Sequence, residues 1–417
     1  MQRSRIGGTT IVQVDSFPSD YPLEMYALTP QMLQTLLEQL VSMGEDLVRL
    51  NPDRGLMVVG MRPKDVVSRI TNYALFGLAR TIALEASWSA IPVNFIVPGR
   101  HPDVAAWVKI TEDLPITGQI FIEHDADSPE LPPYPALALP SRRISPTGNL
   151  PRTVVVTGGA RGQGRAHALW WARRGARIAI IDWTGTVDGI SYPLSTQDDM
   201  ARTVAAIQQA GVAVLAFSAD VRDFDAVHTV FQQIARVWGP PHIVIANAGV
   251  FSFGLRQELT HEAWLNTIAI NMFGPWYAAM AARPGLESTQ GTLVVVGSTA
   301  SLKGMAGLAA YDFSKHGVLA LTRELARSWQ PMGIQVLAVC PTAIDTPLLQ
   351  NQSVYDYFSG HPGGTREFMA DALRNMHALP RDLLTPQEVA EATGRFIQHT
   401  RSLSGMVLAV DAGFTVR

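Results

Sequence analysis

The chain has 417 residues, 47% apolar and 17% charged, enough for two domains with sizeable cores and too apolar for disorder. A net charge of −3, with Lys and Arg scattered, excludes the basic surface that nucleic acid requires. The single cysteine, Cys340, excludes an internal disulfide framework or a multi-thiolate metal site, and the ten histidines form no HExxH motif, so no metal is expected.

The opening residues MQRSRIGGTT carry charge but no apolar run of signal-peptide length. The longest apolar runs, such as Ile178–Ile181 and Leu293–Val296, have the length of strands rather than of a bilayer span. A soluble cytoplasmic protein with no membrane partner is the expectation.

The N-terminal region holds a degenerate repeat of the C-terminal one. Residues 74–99 align without a gap on residues 317–342, with identities at Leu78/Leu321, Arg80/Arg323, Ala83/Ala326, Ile91/Ile334, Val93/Val336 and Pro98/Pro341. Residues 116–124 (ITGQIFIEH) likewise mirror 403–411 (LSGMVLAVD). Residues 1–125 therefore read as a truncated copy of the later fold, with helices at 30–50 and 68–87. Residues 126–150, rich in Pro and Ser and without sustained period, read as a linker.

From residue 151 onward, apolar strands alternate with helix-length amphipathic stretches. Strands are expected at 153–158, 177–182, 212–220, 242–249, 292–298, 334–341 and 405–411. Several are apolar nearly throughout, as strands of a parallel sheet covered on both faces must be. Strands separated by helices give right-handed crossovers and an α/β fold with a doubly wound, Rossmann-like parallel sheet.

The first strand runs into Thr157-Gly158-Gly159-Ala160-Arg161-Gly162-Gln163-Gly164, which opens a helix. Gly158 suits the tight turn, Gly162 a close approach of pyrophosphate, and Gly164 close packing of helix on strand. The helix N-terminus supplies unpaired N–H groups for phosphates, with Arg161 and Gln163 alongside. Asp182 ends the second strand and is followed by Trp183. A carboxylate there accepts hydrogen bonds from ribose hydroxyls and repels a 2′-phosphate, favouring NAD over NADP; capping a turn is the alternative role. Asp220 and Val221, after the third strand, are placed near the adenine. Asn247-Ala248-Gly249 forms a thin wall beside the ribose.

Tyr311 and Lys315 lie one helical turn apart, on one face, and Ser298 ends the strand before them. Asn271 lies in the helical stretch LNTIAINMFG. Together with TGGARGQG and ANAG, these residues strongly resemble the short-chain dehydrogenase/reductase family over the whole of 151–417. The resemblance implies hydride transfer between NAD(H) and an alcohol or ketone, with Tyr311 as acid/base. An ammonium and a positively charged nicotinamide nearby favour the phenolate and lower its pKa from about 10. Lys315 is expected to supply the ammonium and to bond the nicotinamide ribose, Ser298 to hold the substrate oxygen, and Asn271 to support a water-linked proton path. A structural cap is the other role open to Asn271.

The resemblance also places Pro341-Thr342-Ala343-Ile344-Asp345-Thr346 against the nicotinamide, with Pro341, Thr342, Ile344 and Thr346 as contacts. Many members carry Pro-Gly where this chain has Pro341-Thr342. That departure, the run RGQGRAHA at 161–168 and the insertion at 189–204 look like the carveol-dehydrogenase branch, whose members are often coupled to the redox peptide mycofactocin. An external redox carrier and tightly held NAD are implied as a hypothesis. Residues 347–382 correspond to the family's substrate lid. Leu348, Leu349, Tyr355, Tyr357, Phe358, Phe368, Met369 and Met376 in it suit an apolar secondary alcohol or ketone, or simple packing against the body.

In the repeat, Ser68 and Asn72 stand at the positions of Tyr311 and Lys315, and Met61 replaces Ser298. The N-terminal half is therefore expected to be structural. It would dock on the catalytic half's helices as a pseudo-dimer partner and leave a second surface for homodimerisation. Two-domain, high-molecular-weight 3-oxoacyl reductases look similar in organisation. A reductase of carrier- or CoA-bound 3-oxoacyl groups and a catalytically silent NAD-binding scaffold are the alternative functional readings.

Overall fold

A computed structural model describes residues 1–6, 9–14, 28–50, 55–61, 65–86, 93–97, 120–122, 153–254, 258–399 and 404–416. The expected linker at 126–150 lies outside the described residues. Two sheets organise the rest.

The larger sheet has seven parallel strands: β6 (Thr153–Thr157), β7 (Arg177–Asp182), β8 (Val214–Ser218), β9 (Ile243–Ala246), β10 (Thr292–Val296), β11 (Gln335–Pro341) and β12 (Met406–Val410). Their spatial order is β12-β11-β10-β9-β6-β7-β8, so the chain starts in the middle and winds outward twice, as expected. Every expected strand forms. Val154, Val155 and Val156 are buried, as are Val294 and Val295, because helices cover both faces.

The smaller sheet runs β1 (Gln2–Ile6), β2 (Thr9–Gln13), β3 (Gly55–Val59), β4 (Val93–Val97) and β5 (Ile120–Ile122). Strands β2 to β5 are parallel and repeat the succession β9-β10-β11-β12. Where the larger sheet continues into β6, the smaller one is closed by β1, antiparallel to β2. Residues Gln2 to Arg5 of β1 are exposed and include two arginines, a composition that discourages further strand pairing at an open edge.

Helices α1 (Pro30–Val48) and α2 (Val66–Ala86) cover this small sheet. Helix α3 (Gly162–Ala172) follows the glycine-rich turn, and α4 (Gln197–Gln209) and α5 (Phe224–Trp238) are the next crossovers. They are followed by α6 (His261–Ile268), α7 (Gly274–Thr289) and α8 (Ala309–Trp329). Beyond β11 come α9 (Gln352–Ser359), α10 (Arg366–Met376) and α11 (Pro386–His399).

One apolar core runs through both sheets' helices, joining Leu36, Leu40, Ile70 and Leu78 to Trp264, Phe313, Val318 and Trp329. Each such buried Leu, Ile or Val stabilises by roughly 1.5–3 kcal/mol relative to exposure. Helix α2 lies on α8 and α1 on α6, at close quarters. A Cβ on Gly77 would stand 2.3 Å from the His316 ring, and one on Gly44 2.5 Å from Trp264.

Two polar contacts of α2 with α8 form an exchangeable pair. Arg69 donates to Glu324 through two bonds of 2.7 Å, and Thr81 donates to Asp312 at 2.5 Å. In the repeat register Arg69 corresponds to Asp312 and Thr81 to Glu324. The two pairs therefore swap under a local pseudo-twofold.

Candidate active site

A cleft of about 260 Å³ opens at the carboxyl ends of the large sheet's strands. It is lined by every residue anticipated for cofactor contact, namely Gly158, Arg161, Gly162, Gln163, Gly164, Asp182, Trp183, Asp220, Val221, Asn247, Ala248, Gly249, Tyr311, Lys315, Pro341, Thr342, Ile344 and Thr346, and by Ser298. Asn271 is the exception; it lies behind the wall formed by Gly249, where a Cβ would stand 3.3 Å from its Oδ1.

The glycine turn is built by backbone demands. Gly158 (φ 65°) and Gly162 (φ 55°) adopt left-handed conformations that side chains disfavour. A Cβ on Gly164 would stand 1.9 Å from the Gly158 carbonyl oxygen, so only glycine lets α3 start this close to β6. Asn247 holds the neighbouring wall by donating from Nδ2 to the Thr157 and Gly158 carbonyls, at 3.0 and 3.2 Å.

Asp182 is 8% exposed. One carboxylate oxygen accepts from the Ala160 amide at 2.8 Å. Burial raises its pKa, and the bonds from Ala160, Trp183 and Ser195 oppose that rise. Asp220 lies two residues beyond β8 and is gripped by Arg222, whose Nη2 donates at 2.6 Å. Arg222 also donates to Asn266 Oδ1 at 2.5 Å, tying this corner to α6.

Ser298 sits two residues past the end of β10 and caps a short 3₁₀ turn, Thr299–Ser301, by accepting from Ala300 N at 3.2 Å. Its hydroxyl is hydrogen-bonded to the Tyr311 phenol. Tyr311 and Lys315 share one face of α8, with the lysine nitrogen 5.7 Å from the tyrosine ring centre. Lys315 donates from Nζ to the Val296 carbonyl at 3.0 Å. Burial pushes the phenol up to about 12 and the ammonium down to about 8. The expected lowering of the phenol pKa is thus not achieved by Lys315 alone, because burial disfavours both charged forms.

Asn271 lies in a π-helical turn, Ala269–Phe273, interposed between α6 and α7, rather than in a continuous helix. Such turns interrupt the i→i−4 ladder and are frequent at functional sites. Its side chain accepts from Val250 N at 2.8 Å and donates to Val250 O at 2.9 Å and to Ser314 Oγ at 3.2 Å. The amide therefore pins the strand-end loop to α8.

The other lobe of the cleft is apolar. Tyr311 meets Phe251 edge-on at 4.8 Å between ring centres, Tyr357 and Phe358 continue the aromatic wall, and Phe253 packs against Phe251 and Tyr357. From the anticipated lid, Leu348, Leu349, Tyr357, Phe358 and Met376 reach the cleft. Phe368 does not: it is 51% exposed, on the outer face of α10. Met369 and Tyr355 also stay outside the lining, the former buried in the lid's own core and the latter bonded to Gln350.

Several lining residues escaped the sequence reading. Tyr192, inside the insertion, is buried, and its hydroxyl accepts from Phe251 N at 2.8 Å. Thr342 bonds His377 Nε2 at 2.8 Å, while His377 Nδ1 donates to the Arg381 carbonyl at 2.6 Å. The threonine that departs from Pro-Gly thus anchors the base of the lid. Met305, Leu308 and Phe414 complete the wall. Among the described residues no cluster of His, Cys, Asp and Glu has the geometry for a metal, and no helix is long and apolar enough to cross a membrane.

A winding sheet with a glycine turn at its first strand end, and a Ser–Tyr–Lys group at the next cleft wall, defines a nucleotide-dependent oxidoreductase scaffold. The family model for short chain dehydrogenases matches residues 152–355. An uncharacterized NAD-dependent oxidoreductase of Mycobacterium tuberculosis is 35% identical over 266 residues, 63% of this chain and 95% of that protein. The (-)-trans-carveol dehydrogenase of Rhodococcus erythropolis is 33% identical over 271 residues, 64% of this chain and 98% of the relative. The crystal structure of carveol dehydrogenase from Mycobacterium avium in complex with NAD superposes with a TM-score of 0.62 at 30% identity, covering 64% of this chain and 98% of that one. This chain belongs to the short-chain dehydrogenase family.

Proposed function

We propose that the protein transfers hydride between NAD(H) and an apolar secondary alcohol or its ketone, with Tyr311 as the acid/base. The observation that carries the reading is the position of Tyr311. Its phenol, hydrogen-bonded to Ser298, stands where the polar, glycine-walled lobe of the cleft meets the aromatic lobe.

The residues present fit a dinucleotide. The space that a Cβ on Gly164 would fill is needed for the turn, and the α3 N-terminus directs amides into the cleft for pyrophosphate. Asp182, buried at the end of β7, suits ribose hydroxyls and disfavours a 2′-phosphate. Bound NAD would supply the hydride acceptor and, in its oxidised form, a positive charge beside the phenol. That charge, added to Lys315, offsets the burial that holds Tyr311 near 12. Tyr311 then takes the hydroxyl proton, Ser298 holds the substrate oxygen, and Lys315 stabilises the phenolate. Asn271 steadies the loop and helix that carry this group.

The insertion and the residue before it are tied to the rest of the cleft: Tyr192 to Phe251 in the aromatic lobe and, beside the polar lobe, the Asp188 carbonyl to Asn266 and the Pro193 carbonyl to Arg161 at 2.5 Å. This arrangement supports slow cofactor exchange and re-oxidation by an external carrier. Residues 1–125 serve as an internal pseudo-dimer partner, a reading supported by the exchangeable α2–α8 pairs.

Tyr311→Phe tests the enzymatic reading. The variant should bind NAD like the parent yet lose turnover of secondary alcohols by at least roughly a hundredfold, the usual worth of a positioned acid/base. Both preparations should release NAD(H) when denatured. Retained turnover in the variant sinks the assignment.

A further inference from the structure

We propose that the N-terminal half is a positioning element of the substrate pocket, helix α2 fixing the wall segment 302–308 through Arg80, Thr81 and Glu85. The inference rests on the reading of the aromatic lobe as the alcohol site. Segment 302–308 joins the turn after Ser298 to the start of α8, and its Met305 and Leu308 line the cleft beside Tyr311. It has no regular structure of its own, so its backbone groups need partners from elsewhere.

Helix α2 provides them along one face. Arg80 donates from Nη1 to the Leu302 carbonyl at 2.9 Å. Gly304 lies directly on the α2 backbone, where a Cβ would stand 2.8 Å from Arg80 Cβ and 3.2 Å from Thr81 N. Thr81 donates to Asp312 Oδ2, the same oxygen that accepts from Met305 N at 2.6 Å. Glu85 accepts from Gly307 N at 3.0 Å. Thr81 and Asp312 are fully buried and Glu85 nearly so.

On its other side the segment touches the lid. The Ala306 carbonyl accepts from the Tyr357 hydroxyl at 2.5 Å, and the Gly307 carbonyl from Gly254 N at 3.0 Å. The wall is therefore held between the N-terminal half and α9. Packing two apolar helix faces does not require a buried hydroxyl and carboxylate aimed at a loop. Across the pseudo-twofold the matching residues act differently: Arg323 donates to the Tyr73 hydroxyl at 2.6 Å and Glu324 accepts from Arg69, both on α2 itself. The clamp described here runs from α2 to the wall of the pocket.

The test uses the full chain. Thr81→Val and Glu85→Ala remove the clamp while Thr81→Ser and Glu85→Gln retain its hydrogen-bonding groups. Hydrogen exchange at Met305 and Gly307 should accelerate about tenfold in the first two variants, with β10 unchanged, and recover in the second two. For a graded series of secondary alcohols, KM should rise about tenfold for those bulky enough to reach Met305 and Leu308. The kcat for the smallest alcohol and the affinity for NAD should stay within about twofold. Unchanged exchange in 302–308 overturns the proposal, as does faster exchange with no change in any KM. If the parent oxidises no alcohol, the function proposed above falls, and exchange alone decides whether α2 positions the segment.

Discussion

A double-mutant cycle on Arg69 and Glu324 measures whether the two halves are bonded as the fold requires. Their side chains are 15% and 12% exposed and meet through two parallel 2.7 Å bonds. Breaking a fully buried pair costs about 3–5 kcal/mol. Residual exposure reduces that, and Arg327 remains 3.3 Å from Glu324 to soften the loss when Arg69 is removed. Arg69→Met and Glu324→Gln should therefore each cost about 2–3 kcal/mol, or roughly 2–4 °C in Tm for a cooperative unit of this length. Urea unfolding followed by tryptophan fluorescence reads the change, since Trp264 and Trp329 lie in the shared core. The coupling energy should be about 1–2 kcal/mol. Arg395 and Glu391, an exposed pair with side chains 64% and 51% accessible, provide a control that should couple by about 0.3–0.5 kcal/mol. A coupling for Arg69–Glu324 no larger than the control's would refute the docking of α2 on α8 and every argument resting on it.

Asp182→Asn keeps the shape at the end of β7 and an oxygen for the Ala160 amide while removing the charge. The preference for NAD over NADP, measured as a ratio of kcat/KM, should fall by roughly a hundredfold, the equivalent of about 3 kcal/mol of like-charge repulsion. An unchanged ratio would reduce Asp182 to a turn cap. His316 is buried on α8, and desolvation pulls its pKa down to about 4 from the ordinary 6.5. A depressed folded-state value means that its contribution to stability is present above pH 6.5 and lost as pH falls toward 4. His167 behaves alike, whereas buried Asp312, with its pKa raised, opposes them in the same window. His316→Gln should therefore flatten stability against pH between 6.5 and 4 by one proton, about 1.4 kcal/mol per pH unit. Parallel curves for variant and parent would contradict the buried, neutral state of that ring.

What could be read directly from the sequence were features imposed by local backbone geometry or by the period of the sheet. Gly158 and Gly162 are legible because a left-handed turn before a helix leaves few alternatives to glycine. The central strands of the larger sheet, β6, β9 and β10, are legible because burial on both faces makes them apolar nearly throughout. Tyr311 and Lys315 follow from helical spacing. The antiparallel β1 had no such signal: its five residues are mostly polar, and it pairs only because β2 would otherwise have an open edge. Tyr192, Phe251 and His377 were equally silent. Each acts through one long-range bond whose partner no sequence period announces.

The same contrast separates the Ser–Tyr–Lys group from the walls of the cleft. The groups proposed to handle the proton sit on two elements, the β10 end and α8, whose spacing the sheet dictates. The walls are supported from further away. Thr342 reaches His377 at the lid's base, Tyr192 reaches Phe251 from the insertion, and Glu85 reaches Gly307 from the other half of the chain. Each of these supports is a single hydrogen bond on irregular backbone, where a substitution should reposition an apolar wall without moving Tyr311. Selectivity for the alcohol should therefore be easier to alter from the walls, Thr81 and Glu85 included, than from within the Ser–Tyr–Lys group.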